Sequence, residues 1–358
     1  MQIDYISRRL LELYENKELW IDLYDSEDYN NKYIRKLVKL LLYFMPNYLY
    51  KFRLLKHHYW PENLELLGKC FLKLGEIRKA EEIFFELLNI SQNKCFWGLP
   101  IAWKSSKYIF PAGTMMSTTT SEIALFFIEL KRFSDVVTDE VLGKIAYNLL
   151  NGLNRVYEDQ KKLILGYTPL DDYQVNNSNL LVAAALHQIG KEINDNNLVN
   201  ASIKITNACV DGISNNGGVP YYMNGNKYDS YHQVFSLRAL LYLKDESKTF
   251  ERIYYKALDF LKNELMDDDG NVYLTPKKDI IDMQGAAEAL LFFQLIKDND
   301  MVVKIMNQIN KVLTSNKGNY IQRYWKSKFI FPFKSKVLFT RQGELRLLLS
   351  IINMIKVG

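Results

Sequence analysis

The sequence predicts an all-α protein in which six helical hairpins close into an (α/α)6 toroid, with short β-hairpins in the long loops of one face. Three observations carry the prediction. Six apolar runs recur at a nearly constant interval. The first five each lead through a short polar turn into a second, amphipathic run. The connections back to the next apolar run are all long.

The six runs begin at Pro61, Thr118, Asn176, Tyr231, Met283 and Arg341, at intervals of 57, 58, 55, 52 and 58 residues. A fixed period of this length is the signature of stacked supersecondary units. Each run opens on polar residues and then stays apolar around most of a helical circumference, as in "NNSNLLVAAALHQIG" from Asn176. A helix apolar all round is a buried helix. The turns "LGEIR", "KRFSD", "GKEINDN", "KDESK" and "KDND" follow, and then patterns such as "RKAEEIFFELLNI" with one polar face. The unit is therefore a hairpin of a buried inner helix and an exposed outer helix. A further outer helix near Asp28 to Met45 completes the sixth pair. This leaves residues 1–27 as an extra N-terminal helix and 28–358 as one toroid domain.

Closure is favoured over an open superhelix because the count is six. It places every outer-to-inner connection on one face, from Ser91–Ser117 through Ser315–Thr340. Long loops gathered on a rigid scaffold are where function concentrates. The period-2 stretches "GGVPYYMNG", "GNVYLTP", "NYIQRYW" and "KFIFPF" lie in these loops and predict β-hairpins.

Composition narrows the function. The chain of 358 residues is 48% hydrophobic and 24% charged, with a formal net charge of +5 and 24 tyrosines. That mild charge, with no recognition-helix or zinc-finger pattern, argues against a nucleic-acid partner. Cys70, Cys95 and Cys209 have neither disulfide-framework nor metal spacing, which points to reduced thiols. Asp267, Asp268, Asp269 and Gly270 lack the later ligands of a calcium loop and read as a turn. No metal and no cofactor are expected. The N-terminus has no signal-peptide pattern, so a cytoplasmic protein is expected. The basic, apolar stretch "YIRKLVKLLLYFMPNYLYKFRLLKHH" reads first as an outer helix with its connector, and second as a membrane-surface segment.

Four stretches carry a family resemblance: "CFWGLPIAW" from Cys95, "GYTPLDDYQVNNSNLL" from Gly166, "NGGVPYYMNGNKYDSYHQVFSLRAL" from Asn216 and "KKDIIDMQGAAEAL" from Lys277. In order, they resemble the WG-x-P, V-x-N, D-x-x-H and I-D motifs of proteins encoded with bacterial surface-polysaccharide genes. The resemblance spans roughly residues 55–345. It implies an α/α toroid akin to polysaccharide-acting enzymes and to the terpene-cyclase toroid. The sequence departs from the pattern at Val219 and at Ser230, Tyr231 and Gln233, which leaves substrate details open.

The candidate site follows from the polar inner-helix starts. His232 and Asp229 are three apart and share a helix face. With Asn176, Tyr173, Asp279 and Asp282 they form the expected catalytic set. Trp97, Trp103, Asp172, Tyr222, Tyr231, Trp325 and Arg341 are the expected substrate-binding set, with Arg341 gripping a carboxylate. Each Asp, Asn, Ser or Thr also has a plain reading as a helix N-cap. His187 falls at the far end of its helix and reads as structural. His57 and His58 read as a solvated turn. In the last loop Arg323, Lys326, Lys328, Lys334 and Lys336 interleave with Tyr324, Phe329, Phe331 and Phe333, as suits an acidic glycan.

The expected function is a carbohydrate-active protein of surface-glycan assembly: a lyase, hydrolase or epimerase acting on an acidic saccharide, free or lipid-linked. The alternatives are a non-catalytic glycan-binding scaffold for a glycosyltransferase and a terpenoid-cyclase-like enzyme. The absence of a DxDD motif weighs against the last.

Overall fold

The computed structural model describes residues 2–29, 31–105, 107–326 and 333–357. Three helices come first: α1 (Gln2–Glu15), α2 (Lys32–Leu42) and α3 (Pro46–Lys51). Five hairpins follow. Their helices are α4 (Pro61–Leu74) with α5 (Ile77–Ile90), α6 (Ser117–Lys131) with α7 (Asp139–Tyr147), α8 (Asn176–Glu192) with α9 (Asn196–Asp211), α10 (Ser230–Leu243) with α11 (Lys248–Glu264), and α12 (Met283–Leu295) with α13 (Asn299–Val312). The last helix, α14 (Leu345–Val357), is entered through a π-helical turn at Thr340–Glu344.

The ends of these elements are set by local chemistry. Pro61 occupies the first turn of α4, where its missing N–H costs nothing, and Gly75 ends the helix at φ +85°. Side chains of Thr138, Asp195, Ser247 and Asp298 accept backbone N–H groups at the starts of α7, α9, α11 and α13. Gly285 lets α12 approach α10, because a Cβ there would lie 2.3 Å from Ser230 Oγ.

The helices beginning at α4, α6, α8, α10, α12 and α14 touch in sequence, and α14 returns to pack on α4, so the ring closes. Their apolar runs fill the main core, from Leu64 through Phe127, Leu186, Leu240 and Leu290 to Ile352. The sixth outer position differs from expectation. Ile6, Leu10 and Leu13 of α1 enter this core, and Arg9 pairs with Glu344 at 2.7 Å beside α14. α2 instead joins a second apolar cluster with Tyr43, Leu49, Leu55, Val337 and Phe339. The segment 28–45 is thus not the outer partner of the ring. α1, set aside as an extra helix, packs there. The patterns misled because α2 is apolar over an arc wide enough to suggest an outer helix.

The loop strands are short. β1 (Trp103–Lys104) pairs with β2 (Ile109–Phe110), and β3 (Arg155–Glu158) with β4 (Leu163–Leu165). β5 (Ile280–Asp282), β6 (Arg323–Trp325) and β7 (Phe333–Lys334) form one sheet. "NYIQRYW" thus supplies a strand as predicted. "GGVPYYMNG" gives a single bridge, Val175 to Tyr222, and "GNVYLTP" bridges Met266 to Val272 and Tyr273 to Ile281. Both are short of hairpins. Lys328, Phe329 and Phe331 lie outside the described residues. The aspartate run makes the expected turn, with Asp267 Oδ1 accepting from the Asn271 amide at 2.9 Å.

The N-terminal segment is pinned by a buried carboxylate. Asp25 is 0% exposed and accepts from the Tyr50 hydroxyl at 2.5 Å, the Asp22 amide at 3.1 Å and Trp60 Nε1 at 3.3 Å. Burial, then the neighbouring Asp22, raises its pKa from 3.8 to about 8. A raised folded-state pKa means stability present at low pH and lost as pH rises through the folded value. The urea midpoint should therefore fall between pH 3.8 and about 8, and Asp25→Asn should flatten that fall. An unchanged slope in the variant would assign the effect to another group.

Candidate active site

Asp229 is the N-cap of α10, and it uses its two oxygens differently. Oδ1 accepts from the His232 amide at 2.9 Å, which is the capping bond. Oδ2 meets His232 Nδ1 at 2.6 Å, which orients the imidazole. Burial pushes the Asp229 carboxyl up, but His232, through charge and hydrogen bonds, more than offsets this and holds it below the usual value. A carboxylate on Nδ1–H leaves Nε2 as the acceptor in the neutral ring. Among the described residues Nε2 has no hydrogen bond, and the side chain is 25% exposed.

The surroundings of this pair come from six segments. Tyr24 feels Arg341, Asp22 and Asp229. Tyr167 feels Tyr24, Glu62 and Arg341. Tyr221 feels Tyr167, Tyr24 and Asp229, and its ring meets His232 edge-on at 4.8 Å. Tyr231 feels Arg346, Arg341 and Tyr24. Each of these tyrosines is partly exposed, yet burial is the largest influence on its ionisation. Water contact with strong desolvation describes a recess. Burial raises Tyr167 and Tyr231 to about 12, so both keep their protons and present O–H donors.

Three more inner-helix starts complete the wall. Thr118 Oγ1 lies 3.1 Å from the Tyr167 hydroxyl, and Thr119 donates to Glu62 Oε1 at 2.6 Å. Glu62 Oε2 is buried without a partner among the described residues. Arg341, on the π-helical turn, bonds Asp22 through Nε at 2.8 Å and Nη2 at 3.2 Å. Its Nη1 is 3.5 Å from Glu62, and its guanidinium lies 4.4 Å from the Trp60 ring centroid. Arg341 is therefore already matched by two carboxylates and is not the free carboxylate grip that was expected.

Below the recess runs a chain of buried ion pairs from five inner helices. Lys69 bridges Glu65 and Glu122. Arg238 joins Glu122 at 2.5 Å to Glu288 at 3.0 Å. Arg346 meets Glu288 from the other side and also donates to the Arg341 carbonyl at 3.1 Å. Burial raises the Glu122 carboxyl, but Arg238, Lys69 and Arg346 together bring it down to about 2.

An aromatic belt leads from the rim to this floor. Trp103 stacks on Phe110 at 5.0 Å, Phe110 neighbours Tyr108, and Tyr108 meets Tyr173 edge-on at 5.3 Å. Tyr173, Tyr222, Tyr221, His232, Tyr231 and Phe235 then follow ring to ring, with centroids 4.4–5.9 Å apart. Arg346 and Arg238 lie over Phe235 at its lower end. Small cavities of about 10 Å³ lie outside the recess, one between α12 and α13 and one beneath Trp103.

The structure thus brings together His232, Asp229, Tyr231 and Arg341, and joins Trp103, Tyr173 and Tyr222 to them through the belt. The remaining expected site residues have other engagements, although the Asn176 amide also donates to the Tyr221 carbonyl at 3.0 Å beside the belt. Asn176 is fully buried and clamps the loop through the Pro220 carbonyl at 2.9 Å. Trp97 is 2% exposed and donates to the Leu87 carbonyl inside the core. Asp282 caps α12 and binds Arg323 at 2.6 Å and Gln322 at 3.0 Å. Asp279 precedes β5 and accepts the Lys326 amide through its carbonyl. Asp172 is exposed and paired with Lys107. Trp325 stacks against Tyr43 and Phe44 beside the second cluster. His187 is buried against Glu246, as a structural histidine. His57 and His58 bind Trp20 O and Asp28, so they anchor the N-terminal segment.

The ring and its loops match solved structures. The Lin0763 protein from Listeria innocua aligns at TM-score 0.59 and 12% identity, over 84% of this chain and 86% of that one. The chain has the (α/α)6 toroid fold. Cellobiose 2-epimerase from Bacillus thermoamylovorans aligns with this toroid at TM-score 0.58 and 9% identity, over 83% and 87% of the two chains. A family 76 α-mannanase from Bacteroides thetaiotaomicron does so at 0.55 and 11%, again over 83% and 87%. At such identities the likeness concerns the fold. No protein-family model matches the toroid's sequence, and no curated protein matches it. No helix among the described residues is long and apolar enough to cross a membrane.

Proposed function

We propose that the toroid is a carbohydrate-active enzyme of bacterial surface-glycan metabolism that moves a proton on a saccharide bound in the recess. The observation that carries this reading is the partly exposed His232 imidazole, oriented by Asp229 through Nδ1 so that Nε2 is left without a hydrogen bond among the described residues. Nε2 is the base, and Asp229 positions it and stabilises the imidazolium that forms. The phenols of Tyr167 and Tyr231, held protonated, donate to sugar hydroxyls or to a developing oxyanion. The aromatic belt supplies flat apolar faces with polar edges, which suit pyranose rings. The names borne by the fold neighbours, an epimerase and a mannanase among them, agree with a saccharide substrate.

The charges of the recess are mixed. Asp22, Glu62 and Asp229 stand beside Arg341, which Asp22 and Glu62 already engage, while Lys39 lies over the Tyr24 ring and Arg346 over the Tyr231 ring. One observation favours a second reading, hydrolysis: Glu62 and Asp229 place two carboxyls in the recess, and hydrolysis needs such a pair.

Incubation with neutral and acidic mono- and disaccharides in deuterated water separates the readings. Proton transfer at carbon places deuterium on the sugar, and His232→Gln abolishes it. New reducing ends without carbon-bound deuterium would replace the proposal by hydrolysis. Saturable binding with no product from any sugar tested would replace it by a glycan-binding scaffold.

A further inference from the structure

We propose that α2 and α3 form a docking surface for an anionic bilayer. This stands independently of the sugar reading. Of the 23 exposed large apolar side chains among the described residues, eight fall within the 22 positions 33–54. Tyr33 is 81% exposed and Phe52 is 66% exposed. Exposed apolar residues scattered singly are ordinary, whereas such a concentration marks an interaction site.

The geometry of α2 says which kind. At about 100° per residue, Leu40, Tyr33, Leu37, Leu41, Ile34, Val38 and Leu42 occupy one continuous apolar arc. Lys32, Arg35, Lys36 and Lys39 occupy the complementary arc. The protein covers only the edge of the apolar arc, at the buried Val38 and Leu42. The rest faces outward. On α3, Tyr48 and Phe52 stack at 6.4 Å and continue the exposed face, which Leu54 extends. A helix with a broad apolar arc, aromatic residues and a Lys/Arg-rich polar arc is built to lie in a bilayer interface.

The charge pattern selects an anionic surface. Residues 31–58 contain seven Lys or Arg and no Asp or Glu. Lys32, Lys36, Lys51, Arg53 and Lys56 are exposed and have no ion pair among the described residues. Juxtaposed Lys and Arg are attracted to anionic headgroups individually and additively. The patch adjoins the recess, because Lys39 Nζ lies over the Tyr24 ring at 4.9 Å. Docking would set the mouth of the recess at the headgroup level.

Vesicle co-sedimentation of the full chain tests the proposal. The protein should bind mixed phosphatidylcholine–phosphatidylglycerol vesicles, bind phosphatidylcholine alone far less, and dissociate as salt rises. Neutralising Lys32, Lys36 and Lys51 to Gln should weaken partitioning about 100-fold. The Leu37→Ser/Leu40→Ser double variant should also weaken it, with an unchanged circular-dichroism melt because both side chains are exposed. Equal binding to both vesicle types, or undiminished binding of both variants, would overturn the proposal. So would a wild-type dimer in light scattering that the double variant converts to monomer, since a second copy would then be what covers the patch.

Discussion

Replacing His232 with glutamine is expected to lower kcat by about 100- to 10,000-fold and to change stability by about 1 kcal/mol or less. The side chain is partly exposed and its backbone amide, not its ring, makes the capping bond. Asp229→Asn sharpens the test. Asparagine caps a helix as well as aspartate does, so α10 should remain intact. The imidazole, however, loses the carboxylate that orients Nε2 and stabilises its protonated form. Turnover should fall and its pH profile should shift, with the thermal midpoint nearly kept. Full activity in both variants with a lowered midpoint would reduce the pair to a cap. The measurements are steady-state kinetics across pH and thermal denaturation.

The second large effect is on folding. Arg238→Met leaves Glu122 and Glu288 without the cation between them, and Glu288 is 0% exposed. Breaking a buried ion pair costs about 3–5 kcal/mol, and the loss here should lie near the lower bound, because Glu122 keeps Lys69 and Glu288 keeps Arg346. Replacing the members together with apolar residues of similar volume should cost far less. The network also sets an acid limit. Glu122 has its folded pKa depressed from 4.5 to about 2. A depressed carboxylate stabilises above its unfolded value, and that contribution is lost as pH falls from 4.5 toward about 2. Urea titrations of the single and combined variants read both effects. A single variant as stable as the wild type would mean that the network is solvated enough to need no partner.

The ring was legible because its signal is repetition. An inner helix must be apolar on nearly every side, and six such stretches at one spacing leave few other architectures. His232 and Asp229 were legible as a pair because a spacing of three sets two residues on one helix face. Other assignments failed where a residue type has two uses. Asn176 and Asp282 sit at inner-helix starts as a catalytic group would, but one clamps a carbonyl and the other binds Arg323. Trp97 and the exposed belt aromatics are alike in sequence, and only packing separates them. Tyr24, Tyr167 and Tyr221 were missed because they reach the recess from loops and the N-terminal segment, where no periodicity exists. Glu62 was overlooked at the start of α4, although it stands at a helix start like the other candidates. One available signal was passed over. Glu65, Glu122, Arg238, Glu288 and Arg346 each interrupt an apolar inner run. Charges are almost never buried unless paired, so one per inner helix already announces a network.

The closing contact between α14 and α4 has a consequence for how the molecule comes into being. Beside that seam, bonds between the N-terminal segment and the turn entering α14 join distant parts of the chain: Arg9 to Glu344, Ile21 to Thr340 and Asp22 to Arg341, with sequence separations of 335, 319 and 319 residues. Contacts so far apart form late, since the intervening loop must close first. Arg341, Tyr24 and Glu62 are at once the lock of the ring and one wall of the recess. A half-folded chain with five hairpins in place would have the His232–Asp229 pair but not the wall that Asp22, Tyr24 and Arg341 supply. The proposed site, in this architecture, is completed in the same step as the ring.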